Sequence, residues 1–168
     1  RETVDGYAAL SIGYLVAGLR RLSQFYNRRS LELAQQRGTP ADRAYAHLVD
    51  MVYCATIGQW EALESSAAIA LPIYRQLGAP VRWHQTQSLR YHADVLRGRF
   101  ARGRYVLDEV RADLSRDTPA QVRSWILCSD MNITLACDEP RAESIEALAE
   151  VLTPELHRAD RVRSQGLM

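Results

Sequence analysis

Six polar side chains stand where helical surfaces are predicted and could recognise a binding partner. Asp50 and Arg90 lie 40 positions apart, one internal repeat, and so occupy equivalent places on neighbouring helices. A carboxylate and a guanidinium can both make charged hydrogen bonds to a partner. They can equally form an ion pair that joins two repeats, and the sequence leaves both interpretations open. The predicted partner-binding set is Tyr45, Asp50, Gln85, Arg90, His92 and Asp130.

The sequence contains no recognisable catalytic or cofactor-binding motif. GxxxxGK[ST], GxGxxG, GxSxG and HExxH are all missing from it. His47 and Asp50, three positions apart, could supply half of a metal site, but two ligands are too few to hold an ion. We therefore expect no enzyme activity, no cofactor and no metal.

Composition indicates a folded domain without a strong electrostatic field. The chain has 168 residues, of which 47% are hydrophobic and 24% charged, and its net charge is +1. Such a balance predicts no attraction to nucleic acid or to a membrane surface. Cys54, Cys128 and Cys137 follow no metal-binding or CxxC spacing, which favours reduced thiols and a cytoplasmic location. The chain starts at Arg1, and we expect it to be a fragment of a longer protein.

Two sets of turn markers recur about every 40 residues and interleave along the chain. Gly18, Gly58 and Gly98 form the first set. The second consists of Gly38-Thr39-Pro40 and Gly78-Ala79-Pro80, with Asp117-Thr118-Pro119 in the third place. Glycine ends helices because it adopts the left-handed conformation easily, and proline favours the first helical turn. The markers therefore predict alternating A and B helices.

Eight helices follow from these markers, and the apolar residues within them recur at helical spacing. Because no segment shows sustained period-2 alternation, we predict no strands. Pro72 falls inside one helix and predicts a bend there. The fold prediction is an all-α, right-handed α-solenoid of four antiparallel hairpins, forming one domain over residues 1–168. The predicted ranges are 3–19, 23–37, 40–57, 60–77, 80–97, 100–116, 119–136 and 140–152.

Gly58-Gln59-Trp60-Glu61, followed by Ala70-Leu71, resembles the second half of a tetratricopeptide (TPR) motif. The likeness departs from that motif at Leu63 and Met51, where the family prefers small residues, and the period exceeds the usual 34 residues. The region of about 40–137 also resembles the helical repeats that follow the ATPase domain of large bacterial signalling proteins. This resemblance implies an interaction or regulatory module of such a protein.

Two functions follow from this fold. A scaffold would bind a protein or peptide, including other domains of the same parent chain, along the groove formed by the A helices. A sensor would bind a small ligand or signal peptide and regulate a linked ATPase or output domain. An open groove favours the scaffold, and a closed cavity favours the sensor. We also expect Trp60 and Phe100 to anchor their hairpins by packing beneath the turns.

Overall fold

Within the residues that it describes, the computed structural model is entirely helical. It describes residues 3–114 and, beyond them, Thr118, Val122, Arg123, Ile126, Cys128 and Ser129. The six helices of this part are α1 (Val4–Val16), α2 (Arg20–Arg37), α3 (Pro40–Ile57), α4 (Trp60–Gln76), α5 (Pro80–Leu96) and α6 (Phe100–Ala112).

The first six predicted helices are confirmed, with boundaries that differ by at most about four residues. The seventh prediction, 119–136, falls on residues of which only a few are described. The eighth, 140–152, and the site residue Asp130 lie outside the described residues. None of the helices in the described part is long and apolar enough to cross a membrane.

The glycine markers end helices as predicted, and the backbone hydrogen bonds repeat with them. Gly18, Gly58 and Gly98 have φ angles of 75°, 75° and 70°. At each of these sites the residue after the glycine donates its N–H to the carbonyl five positions earlier, as Gln59 does to Cys54 at 2.9 Å. This pairing satisfies carbonyls that the helix end leaves free. A tight turn then leads into the next helix.

The two Gly-x-Pro markers differ from each other in backbone conformation. Gly78 is left-handed with φ 59° and repeats the pattern of the hairpin turns. Gly38 is extended, and an added Cβ would lie only 2.4 Å from the carbonyl oxygen of Ala34. Only glycine therefore lets the backbone at position 38 lie this close to the last turn of α2. Thr39 then begins α3 through a capping box with Asp42.

Contacts between helices divide the chain into two compact units, Arg1–Ala93 and Asp94–Met168. In the first unit α1 packs on α2 and α3 packs on α4, while α3 also contacts both α1 and α2. Met51, Cys54, Leu63 and Ala67 belong to its main apolar cluster, against which Trp60 packs while half-buried. Helix α4 continues through Pro72 to Gln76.

Helix α6 supplies several of the buried apolar side chains described for the second unit. Val106, Leu107 and Val110 are buried along one face of this helix. In the same unit Arg102 places its Nε 3.2 Å from Oδ2 of Asp94, whose side chain is 1% exposed. The guanidinium compensates for the cost of burying this carboxylate.

Candidate binding groove and the polar network behind it

A polar network centred on Asp50 connects three helices of the first unit. Asn27 of α2 donates its Nδ2–H to Oδ1 of Asp50 at 2.6 Å. Ser66 of α4 donates its hydroxyl to Oδ2 of the same carboxylate, also at 2.6 Å. Nδ1 of His47 lies 3.1 Å from the Ser66 oxygen. Asp50 thus accepts hydrogen bonds from α2 and α4, the two B helices of this unit, and its two oxygens hold α3 against both.

The network contains Ser, His and Asp, but its hydrogen bonds run in different directions from those of a catalytic triad. In a triad the histidine accepts the serine proton and the carboxylate orients the histidine. Here Ser66 gives its proton to Asp50, so Nδ1 of His47 must donate to the serine oxygen. Burial lowers the pKa of His47, Arg43 lowers it further, and Asp50 opposes both effects. The arrangement orders the helix interface and does not activate a nucleophile.

Cys54 is also held in an unreactive form beside this network. Burial raises the pKa of its thiol to about 12, and the charge of Asp50 and a hydrogen bond to Asp50 add to the increase. Because the thiolate is the reactive species, a thiol with this pKa is a poor nucleophile near neutral pH.

Arg90 pairs with a partner that the repeat spacing did not predict. Its Nε lies 3.2 Å from Oε2 of Glu64 on α4, and its Nη1 donates to Oε1 of Gln87 at 2.9 Å. The Arg90 and Glu64 side chains are 20% and 26% exposed. The equivalent A-helix residues Asp50 and Arg90 therefore each pair with B-helix partners instead of with each other. Each of them has a polar side chain of a B helix within hydrogen-bond distance, Asn27 and Ser66 for Asp50 and Glu64 for Arg90.

A cavity of about 510 Å³ opens to solvent near the first turns of α1, α3 and α5. The last turn of α4 contributes Tyr74 and Leu77 to its wall. We call it the α5 cavity, and its lining residues are Asp5, Ala9, Ala41, Asp42, Tyr45, Tyr74, Leu77, Ala79 and Arg82.

Arg82 organises the polar side of this cavity. Its guanidinium carbon lies 5.0 Å from the centroid of the Tyr45 ring, a cation–π distance, and its Nη1 donates to Oε1 of Gln85 at 3.0 Å. Two of the predicted site residues, Tyr45 and Gln85, thus meet at an arginine that the sequence analysis missed. The sequence pattern could have indicated Arg82, because Tyr45 and Gln85 are one repeat apart and Arg82 precedes Gln85 by three positions on the same helix.

Tyr74 lines the same cavity and carries a buried hydroxyl. The residue is 3% exposed, and its hydroxyl oxygen is closed off from solvent without a hydrogen-bond partner among the described residues. Burial raises the pKa of Tyr74 to about 12, against a lowering influence of Arg82. The hydroxyl is therefore a neutral donor that lies within the electrostatic reach of Arg82 and Tyr45. A buried polar group without a partner costs stability, so its presence needs an explanation.

A second open cavity adjoins the first and has a volume of about 590 Å³. The two cavities share the lining residues Asp5 and Asp42 and therefore adjoin, and together we call them the edge groove. We call the second part the α2 cavity, and its lining residues are Thr3, Val4, Asp5, Leu33, Arg37, Gly38 and Asp42.

Of the predicted site residues that the structure describes, Tyr45 lines the edge groove, whereas Asp50, Gln85, Arg90 and His92 do not. His92 is exposed on α5, with its Nδ1 2.6 Å from the carbonyl oxygen of Ser88. Asp50 and Arg90 make the contacts described above, and neither lines either of the two cavities. The part of the chain described by the structure contains no group of three His, Cys, Asp or Glu side chains that could hold a metal ion.

Comparison of the chain with models of protein families, with curated proteins and with solved structures finds no match. We therefore infer the function of the chain from the geometry of the edge groove and of the Asp50 network.

Proposed function

We propose that the chain is a non-catalytic, protein- or peptide-binding module built from TPR-like repeats that stack into a right-handed solenoid. Two features support the repeat interpretation. Left-handed glycines with the same hydrogen-bond pattern recur at 40-residue intervals. In addition, α3 packs on both helices of the preceding hairpin, as stacking of repeats requires.

The edge groove is the observation that supports the proposed binding function. It begins at the starts of the A helices α1, α3 and α5, and four charged residues, Asp5, Arg37, Asp42 and Arg82, line it together with apolar side chains. Charged side chains on such a surface give specificity for a partner of complementary charge. Tyr45 and Arg82 form its most developed polar surface, and aromatic and arginine side chains contribute strongly to protein interfaces.

The hydrogen-bond directions in the Asp50 network support a non-catalytic role. Ser66 is bonded as a donor to a carboxylate, and the pKa of the buried Cys54 thiol is raised to about 12. Neither group has the activated form that covalent catalysis uses. The pairing of Arg90 with Glu64 likewise supports a structural role for this arginine.

Binding of a small ligand by a sensor domain is the alternative function. An enclosed cavity would favour that alternative, because small ligands are usually buried on most sides. Both parts of the edge groove open to solvent, which favours an extended partner. In this proposal the module serves a larger bacterial signalling protein in the cytoplasm, where free thiols such as Cys54 and Cys128 persist.

Selection of peptides from a displayed random library tests the proposal. Peptides that bind the wild-type chain should bind Tyr45→Ala and Arg82→Ala variants about tenfold more weakly, the loss expected for one good polar or aromatic contact. Gln35→Ala, at an exposed position of α2 outside both cavities, is the matched control. Amide chemical shifts should change at the edge groove on binding. Shifts confined to exposed faces of α2 and α4 outside the groove would refute the groove proposal.

A further inference from the structure

We propose that the edge groove selects a peptide in which an acidic, a basic and a second acidic side chain follow one another. This inference rests on the proposed peptide-binding function and specifies its ligand. It follows from the order of charges along the groove. Arg82 lines only the α5 cavity, Asp5 and Asp42 line both cavities, and Arg37 lines only the α2 cavity.

The Arg82 end is suited to a carboxylate. Arg82 uses one nitrogen for Gln85, and a guanidinium has further N–H donors that a carboxylate can engage. Tyr74 supplies a buried hydroxyl that has no partner within the described part of the chain. Arg82 is exposed, stacks on Tyr45 and acts electrostatically on this hydroxyl, so a carboxylate bound by Arg82 would come near it. A ligand carboxylate would then satisfy a donor that the free chain leaves unpaired.

The shared part of the groove is suited to a cation. Asp42 uses its Oδ2 to accept hydrogen bonds from the backbone and hydroxyl of Thr39, which leaves its other oxygen for a ligand. Asp5 lies in the first turn of α1 and is exposed. Two carboxylates that face one depression attract a lysine or arginine side chain and repel an acidic one.

The second acidic position follows from Arg37 in the α2 cavity. Arg37 lies in the last turn of α2 and is exposed beside Leu33. A free amino acid could contact Arg82 and Asp5 but would not extend into the α2 cavity. The two adjoining cavities, of about 510 and 590 Å³, accommodate several residues, so the length of the groove favours a peptide.

The experiment uses two series of capped synthetic peptides in which every charge of the first series has the opposite sign in the second. In the first series Glu, Lys and Glu are separated by one to three alanines, and in the second Lys, Glu and Lys are separated in the same way. Acetyl and amide caps remove the terminal charges. Binding to the full chain is measured by amide chemical shifts at millimolar peptide, and the free amino acids glutamate and lysine are titrated in parallel.

The Glu-Lys-Glu series should bind about tenfold more tightly than the Lys-Glu-Lys series, as expected when a charged contact is replaced by a repulsion. Tyr74→Phe should weaken that binding about tenfold without lowering the melting temperature, since the hydroxyl has no partner to lose. Tyr105→Phe, at a 71% exposed position, should change neither quantity.

The other outcomes would overturn the proposal in distinguishable ways. Equal binding of both series that is lost in Tyr45→Ala would refute the charge order and leave the peptide groove standing. Binding of free glutamate as tightly as the peptides would refute the peptide ligand in favour of a small zwitterion. An unchanged affinity in Tyr74→Phe would refute the assigned acidic subsite. Failure of both series to bind would overturn the charge order and the proposed groove together.

Discussion

Asn27 and Asp50 form a 2.6 Å hydrogen bond that joins the second helix of one hairpin to the first helix of the next. Both residues have side chains that are largely removed from water, and Asn27 is only 3% exposed. A hydrogen bond to a charged group in such a place contributes more than one on the surface. This pair is therefore a specific polar contact between the first two hairpins, which also share an apolar cluster that includes Val4, Ala34 and Ala46.

Loss of this bond should destabilise the chain without unfolding its helices. Asn27→Ala is expected to lower the free energy of unfolding by about 1–3 kcal/mol, because Asp50 would keep its charge and lose a donor. Urea denaturation followed by circular dichroism measures the change. Gln35→Ala, exposed on the same helix, serves as the control and should lie within about 0.5 kcal/mol of wild type. Equal denaturation midpoints for Asn27→Ala and wild type would contradict the assignment.

Arg90 should contribute to stability and not to peptide affinity. We expect Arg90→Ala to lower the free energy of unfolding by about 1 kcal/mol, since its ion pair with Glu64 is only partly shielded from solvent. Glu64→Gln should lower it by a similar amount, and the double variant should show less than the sum. Affinity per folded molecule for groove-binding peptides should stay unchanged. A loss of affinity with unchanged stability would instead place Arg90 in the binding site.

Trp60 should anchor its hairpin, although it is less buried than the sequence suggested. It packs half-buried on the cluster that includes Met51 and Leu63, close to the left-handed Gly58. Trp60→Ala should therefore cost about 2–3 kcal/mol, below the range for a fully buried aromatic side chain. Thermal denaturation measures this loss. Tyr105→Ala, at a 71% exposed aromatic position, is the control and should cost little. An unchanged melting temperature for Trp60→Ala would reassign Trp60 to a surface role.

His47 should make the chain sensitive to mild acid. Its pKa in the folded chain is lowered below 6.5 by burial, so the unfolded chain takes up the proton first as pH falls. The stability that this neutral histidine contributes is complete above pH 6.5 and is lost as pH falls through the lower folded pKa. His47→Gln should therefore lose less stability than wild type between about pH 7.5 and 5. Parallel urea titrations test this, and identical pH dependence would refute it.

Cys54 and Cys128 should differ in reactivity. Cys54 is buried with its pKa raised to about 12, whereas Cys128 is exposed. Iodoacetamide at about pH 8 should modify Cys128 in the native chain and Cys54 only after denaturation, because the thiolate form and access control the rate. Mass spectrometry of proteolytic peptides separates the two sites. Rapid native modification of Cys54 would show that the Asp50 network opens readily.

Helix boundaries were predicted from the sequence because the signals that set them are local. Gly58 ends α3 through its own left-handed backbone, and Pro40 with the Thr39–Asp42 capping box begins that helix. Each signal acts within four residues and does not depend on what packs nearby. The 40-residue spacing of such signals also predicted that α1 packs on α2 and that α3 packs on α4.

The candidate site was predicted only in part. The sequence singled out Tyr45 and Gln85, but Arg82, Tyr74 and the two aspartates Asp5 and Asp42 emerged only from the structure. Asp50 and Arg90 were predicted from their repeat spacing, and the structure gave them Asn27, Ser66 and Glu64 as partners.

The sequence by itself therefore determined where the helices of this chain begin and end, since φ preference and capping are properties of neighbouring residues. Only the tertiary structure decided which polar side chains pair across helices and which line the groove. The reason is that repeat spacing defines equivalent positions along the chain, whereas hydrogen bonds form with whichever group lies within about 3 Å in space. For Asp50 those groups belonged to α2 and α4, and for Tyr45 the cation over its ring was Arg82 of α5.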